Sequence, residues 1–119
     1  MTDLVRAGAL VVIASKQTFD YNGKPSLTHA FDTGAAWMSL ALQGNMLGLV
    51  VHGMQGFDYD KAAVVVGLPE GHSVQAMCAI GYPGPLDALP ETLRARDVPS
   101  GRKGLDEIAL EGAFPKFLN

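Results

Sequence analysis

Two short stretches of this 119-residue chain carry residue types that can do chemistry. The first is Gly53-Met54-Gln55-Gly56, set between an apolar, β-branched run and a segment of helical character. Glycines flanking such a turn let the main chain approach a ligand closely, and a helix start just beyond offers unpaired N–H groups to negative charge. An ordinary strand-to-helix loop carries the same letters. Two glycines also fall short of a dinucleotide fingerprint, which needs a third glycine and a later acidic residue. The second stretch sets Arg94, Arg96, Arg102 and Lys103 against Asp97 alone, among Gly, Pro and Ser. A loop of this kind could clamp a phosphate, with Arg102 supplying a two-pronged guanidinium; a solvated surface stretch reads the same way.

Other familiar chemistry finds no anchor. His29, His52 and His72 are scattered, whereas zinc ligands come in tighter pairs, so no metal is expected. There is no G-x-S-x-G elbow for a hydrolase nucleophile. Cys78 lies in the middle of an apolar run and reads as an inert core residue. Trp37, Met38 and Met46 read as core packing. No side chain is nominated as catalytic.

The elements that must hold the two stretches follow from hydrophobic pattern. Ala9 to Ala14 is continuous and β-branched, the pattern of a strand covered on both faces. Asn22-Gly23-Lys24-Pro25 marks a long loop. A helix is expected from Gly34 to Leu47, capped by Asp32 or Thr33, with two apolar stripes. Trp37, Leu40, Ala41, Gly44 and Leu47 form one; Ala35, Met38, Leu42 and Met46 form the other. A helix apolar almost all round must be buried, and its small residues would admit another helix closely. Leu49 to His52 is a second strand. Asp58 caps a helix from Tyr59 to Val66, which Gly67 closes. Ser73 to Ile80 is a third strand, and a helical turn is expected after Pro90.

Composition bounds the rest. With 48% hydrophobic and 18% charged residues, against about 25% charged in typical chains, this is a core-forming sequence with little wet surface. A net charge of −3 argues against a nucleic-acid binder, which needs a basic face. A single cysteine, no signal-peptide layout in Met1 to Arg6 and no apolar run near the ~20 residues of a membrane span point to a soluble, cytoplasmic setting away from membranes.

Four segments together resemble the nitroreductase family. They are Phe31-Asp32-Thr33-Gly34-Ala35-Ala36-Trp37-Met38-Ser39-Leu40-Ala41-Leu42-Gln43, Gly48-Leu49-Val50-Val51-His52-Gly53-Met54-Gln55-Gly56-Phe57-Asp58, Gly67-Leu68-Pro69, and Gly101-Arg102-Lys103-Gly104-Leu105-Asp106-Glu107-Ile108. Their order and spacing match over nearly the whole chain. The resemblance implies an α+β fold, a central buried helix packed on a mixed sheet, and a homodimer holding FMN at its interface. NAD(P)H would reduce the flavin, and small-molecule nitroaromatics or quinones would accept the electrons. It assigns the main chain of Gly53, Met54, Gln55 and Gly56 to the flavin N5/O4 edge, and Arg102 with Lys103 to the FMN phosphate. The Gly34–Leu47 helix becomes the dimer core.

By the same resemblance, residues 1–119 form a single partial domain, the C-terminal portion of the family's chain. That chain starts with a helix and an Arg/Ser segment gripping the phosphate, and here Thr2 to Gly8 corresponds to the lead-in to a middle strand. Two departures fall at the phosphate end. Arg102-Lys103-Gly104 stands where a proline is more usual, and Glu111-Gly112-Ala113-Phe114 lacks the common arginine. The alternative expectation is a non-catalytic truncated remnant or dimerisation module with weak or no flavin binding.

Overall fold

A computed structural model of the chain describes residues 7–114, so most of the Thr2–Gly8 lead-in, Thr2 to Arg6, lies outside the described residues. The three apolar runs become strands β1 (Ala9–Lys16), β2 (Val50–Met54) and β3 (His72–Gly81) of one sheet in the order β1-β3-β2. The α+β expectation stands, but the described sheet is antiparallel and not mixed. β1 and β2 run in the same sense, as strands joined through a helix do. The third strand fills the gap between them in the opposite sense, so each hydrogen-bonded neighbour is antiparallel.

Helix α1 (His29–Met46) starts five residues before the expected Gly34. The Thr28 carbonyl accepts the Asp32 N–H at 2.8 Å, and the Thr28 hydroxyl donates to the Asp32 carboxylate at 3.1 Å. Thr33 donates back to the His29 carbonyl at 2.8 Å. Both expected caps are therefore residues of the first turns, and Thr28 is the boundary. At the other end Gly48, at φ +76°, turns the chain and lets Leu49 N–H reach back to Gly44 O at 2.9 Å. Helix α2 (Tyr59–Val65) begins as its sequence says: the Asp58 carboxylate accepts the Lys61 N–H at 2.9 Å.

The two helices take opposite faces of the sheet. α1 lies on the face that carries Val51 and Gly53 of β2, and with them Cys78 of β3, the ladder partner of Gly53. The contact is reciprocal. A Cβ on Gly44 of the helix would collide with Val51 Cγ2 of the strand, while a Cβ on Gly53 of the strand would come within 2.8 Å of the Trp37 indole of the helix. Each partner supplies one bulky side chain and one gap. Gly44 thus admits a strand, not the neighbouring helix that small residues suggested. α2 lies on the opposite face, where its residues line a groove with Leu10, Val12 and Met77.

α1 is not the buried rod its composition announced. Gly44 is its one buried residue, and Trp37 and Ala41 are half-buried on the same stripe. The second stripe is bare: Met38 and Leu42 are more than half exposed, and Met46 is 80% exposed, so the two methionines are not core. A single sheet can cover only one side of a helix, and the periodicity could not say which.

A register shift between Ile13 and Ala14 leaves Gln75 of β3 without a partner in the ladder. Such a bulge re-aims a side chain. Here Gln75 Nε2 donates to Ser15 Oγ at 2.9 Å, and that buried hydroxyl also meets His29 Nδ1 at 2.8 Å. The edge strand is thereby tied to the first residue of α1. At the end of the strand, Lys16 pairs with Asp20 and holds that exposed carboxyl below the usual carboxylate range.

The chain divides into two compact units, the first ending at Gly84 and the second starting at Pro85. The second consists of a 3-10 turn at Leu86–Ala88 and two four-residue helices, α3 (Glu91–Arg94) and α4 (Leu105–Ile108). α3 follows Pro90, as the sequence indicated. None of the described residues in these three elements is buried. Among the described residues no helix is long and apolar enough to cross a membrane.

Candidate functional site

The Gly53–Gly56 stretch is half strand and half turn. Gly53 and Met54 pair with Cys78 and Met77, because β3 is long enough to extend the ladder past the expected end of β2 at His52. The turn proper is Gln55 to Phe57, tightened by a 3.1 Å bond from Phe57 N–H to Gln55 O. Gln55 and Gly56 are exposed, and their N–H groups find no acceptor among the described residues. A Cβ at Gly56 would meet nothing within 4 Å, so the main chain there is open to a ligand. No side chain from Gly53 to Phe57 carries charge; the donors are fixed backbone dipoles.

The helix start beyond this turn is partly taken: the Asp58 carboxylate accepts the Lys61 amide and brings its own negative charge, which weakens the pull of that helix end on an anion. The turn amides carry no such counter-charge from Gly53 to Phe57. Phe57 and Tyr59 stack with ring centroids 4.2 Å apart, which stiffens the exit from the turn. Next to it lies an apolar groove of about 330 Å³, with Leu10, Val12 and Met77 from the sheet and Phe57, Asp58 and Lys61 from the turn and α2 among its lining. The groove was not anticipated, since it depends on which faces of β1, β3 and α2 meet.

In the second unit, Arg102 folds onto its own loop. Its Nη1 donates to Ser100 O at 3.0 Å and Ser100 Oγ at 2.7 Å, with Gly101 O at 3.3 Å. This leaves Nη2 and Nε without an acceptor among the described residues, so half of the fork is available to an anion. Lys103 is exposed. Just after it, the Glu107 carboxylate accepts the Gly104 N–H at 2.8 Å and starts α4. The structure thus brings Gly53, Met54, Gln55 and Gly56 together in the first unit, and Arg102 with Lys103 in the second.

Cys78 is fully buried beneath α1, and burial pushes its thiol above the ordinary range. That matches an inert core residue. Sequence reasoning treated Trp37 as generic packing; the structure puts its indole directly against Gly53, at the base of the turn. The pairing of a lone tryptophan with a strand glycine was the available signal, although nothing in the spacing joins positions 37 and 53.

The model of the nitroreductase family matches residues 2–82. Among solved structures, an oxidoreductase containing FMN superposes with a TM-score of 0.85 at 39% identity, over 94% of this chain and 58% of its own. A nitroreductase family protein from Clostridium difficile gives a TM-score of 0.62 at 21% identity, over 93% of this chain and 63% of its own, a likeness of fold alone. The chain therefore spans less than two thirds of either structure. An uncharacterised 15.4 kDa protein from the ask 5' region of Mycolicibacterium smegmatis is 31% identical over 109 residues, 91% of this chain and 72% of that protein.

Proposed function

The chain belongs to the nitroreductase family, and from that membership we propose that it serves an FMN-dependent oxidoreductase in which NAD(P)H is the reductant and nitroaromatics or quinones are the acceptors. The observation that carries the reading is the open turn at Gln55 and Gly56, in a chain 39% identical to an oxidoreductase containing FMN. FMN when bound would supply the two-electron chemistry that no side chain here offers. The residues present fit such a group in kind: unpaired backbone donors on a rigid strand end, an uncharged surround, and a guanidinium with half its donors free.

The chain's own contribution is then binding and electrostatics. The amides of Gln55 and Gly56, with the main chain of Gly53 and Met54 behind them, hold fixed N–H dipoles toward the flavin N5/O4 edge and favour negative charge there without a titrating side chain. Arg102, with Lys103, neutralises the phosphate. The bare stripe of α1, including Phe31 at 77% and Met46 at 80% exposure, is the surface on which a second copy would close a homodimer. Both units are read as parts of one partial nitroreductase-like domain in a cytoplasmic protein.

The test is uptake. Purified full-length chain mixed with FMN and desalted should keep the flavin's visible absorbance, lose it on anaerobic addition of NADH or NADPH, and regain it with a nitroaromatic or quinone. Sedimentation should give a dimer. A colourless protein after desalting overturns the flavin reading and leaves a non-catalytic dimer-forming module; a monomer overturns the role given to α1.

A further inference from the structure

We propose that Trp37 is a positioning residue: pressed against Gly53, its indole fixes the direction in which β2 delivers the Gln55 and Gly56 amides. The proposal rests on the flavin reading for its purpose, but not for its geometry. A Cβ on Gly53 would stand 2.8 Å from Cζ2, 3.2 Å from Cη2 and 3.5 Å from Cε2 of the indole, so the ring lies flush on the bare backbone with no room for a side chain. Gly53 is the next-to-last residue of β2, and Met54 opposite Met77 is the last ladder pair before the turn. From Gln55 onward no sheet bond guides the main chain.

Two constraints meet at Gly53. In the plane of the sheet it is paired with Cys78; normal to the sheet it is pressed by the indole. The ring's own place is set one level down, because Gly44 seated on Val51 fixes the register of α1 against β2. The seven residues from Trp37 to Gly44 put both on one helix stripe, and the two from Val51 to Gly53 put both on one strand face. Turn amides that must meet a developing charge need support of this kind, since loosely held donors lose most of their effect.

The test compares wild type, Trp37→Ala and Trp37→Phe in the full chain, first without FMN. In NMR relaxation, the order parameters of the Gln55 and Gly56 amides should drop from about 0.85 to below about 0.6 in Trp37→Ala, those in the centre of β3 (Ala76 to Ala79) should hold, and Trp37→Phe should restore most of the order. With FMN, the dissociation constant should rise about tenfold in Trp37→Ala and the bound flavin's midpoint potential should fall, both recovering in Trp37→Phe. Unchanged turn amides, or equal loss of order across β3, overturns the positioning role, the second because the indole would then be core and nothing more. Wild type that takes up no FMN refutes the flavin reading instead, and the relaxation measurements still decide what Trp37 does.

Discussion

The two stretches that drew attention first are built in opposite ways. The turn at Gln55 and Gly56 grows from the packed body of the molecule: its strand is laddered to β3, and α1 closes one face through interlocking side chains and gaps. Arg102 stands on self-contained turns, where the described side-chain bonds span at most five residues and the helices are four residues long. Under the proposed flavin role, donors that must stay aligned would sit at the end of a packed strand, and a cation that meets a compact charge would sit on a softer mount. The prediction is an asymmetry: changes around the turn cost stability first, and changes around Arg102 cost binding alone.

Gly44→Leu is the strongest way to break that contrast. Its side chain must displace Val51, and overpacking of this kind should lower stability by about 3 kcal/mol in urea unfolding. A loss near zero would mean that α1 is not clamped to β2 at all. Asp58→Ala removes the α2 cap beside the turn and should cost about 1 kcal/mol in the same measurement. Arg102→Ala should change stability by less than about 0.5 kcal/mol, as surface substitutions do. Its effect should appear in titration calorimetry as about tenfold weaker FMN binding. Substantial destabilisation by Arg102→Ala would erase the distinction between the two regions.

The smallest effect concerns pH. Below the thiol's ordinary value of 9.0, Cys78 is neutral in both the folded and the unfolded chain and contributes no pH dependence. Above it, the unfolded chain ionises while the buried thiol keeps its proton. The unfolded state then binds fewer protons, and stability falls as pH rises. Cys78→Ala should remove this part of the alkaline slope in melts run from neutral pH upward. An identical slope in both proteins would mean the body is less closed around β3 than its burial indicates.

Much of this fold was legible because its punctuation is local. Asp58 and Gly67 announce both ends of α2, and β3 differs from its expected span by one residue at each end. The start of α1 was missed because Asn22 to Pro25 made the whole stretch up to His29 read as loop, hiding Thr28 as the boundary. The two stripes of α1 were visible as periodicity. That the one bearing Trp37 meets the sheet, and the one bearing Met38 does not, is a fact about β2 and not about the helix. The bulge at Gln75 is silent too, since Ser73 and Gln75 alternate as in any regular strand. For the site, the turn and Arg102 could each be located as contiguous letters; the indole against Gly53 could not, because it exists only once the register of helix on strand is set.

The interlock between α1 and β2 also bears on how such a chain can change over generations. Positions 44 and 51, and positions 37 and 53, divide a fixed volume between helix and strand. Enlarging one member is harmful until its opposite shrinks, so drift along either pair must pass through a weakened intermediate or wait for two substitutions together. These four sites should be inherited as two linked characters, with a large residue and a small one trading sides and never growing at once.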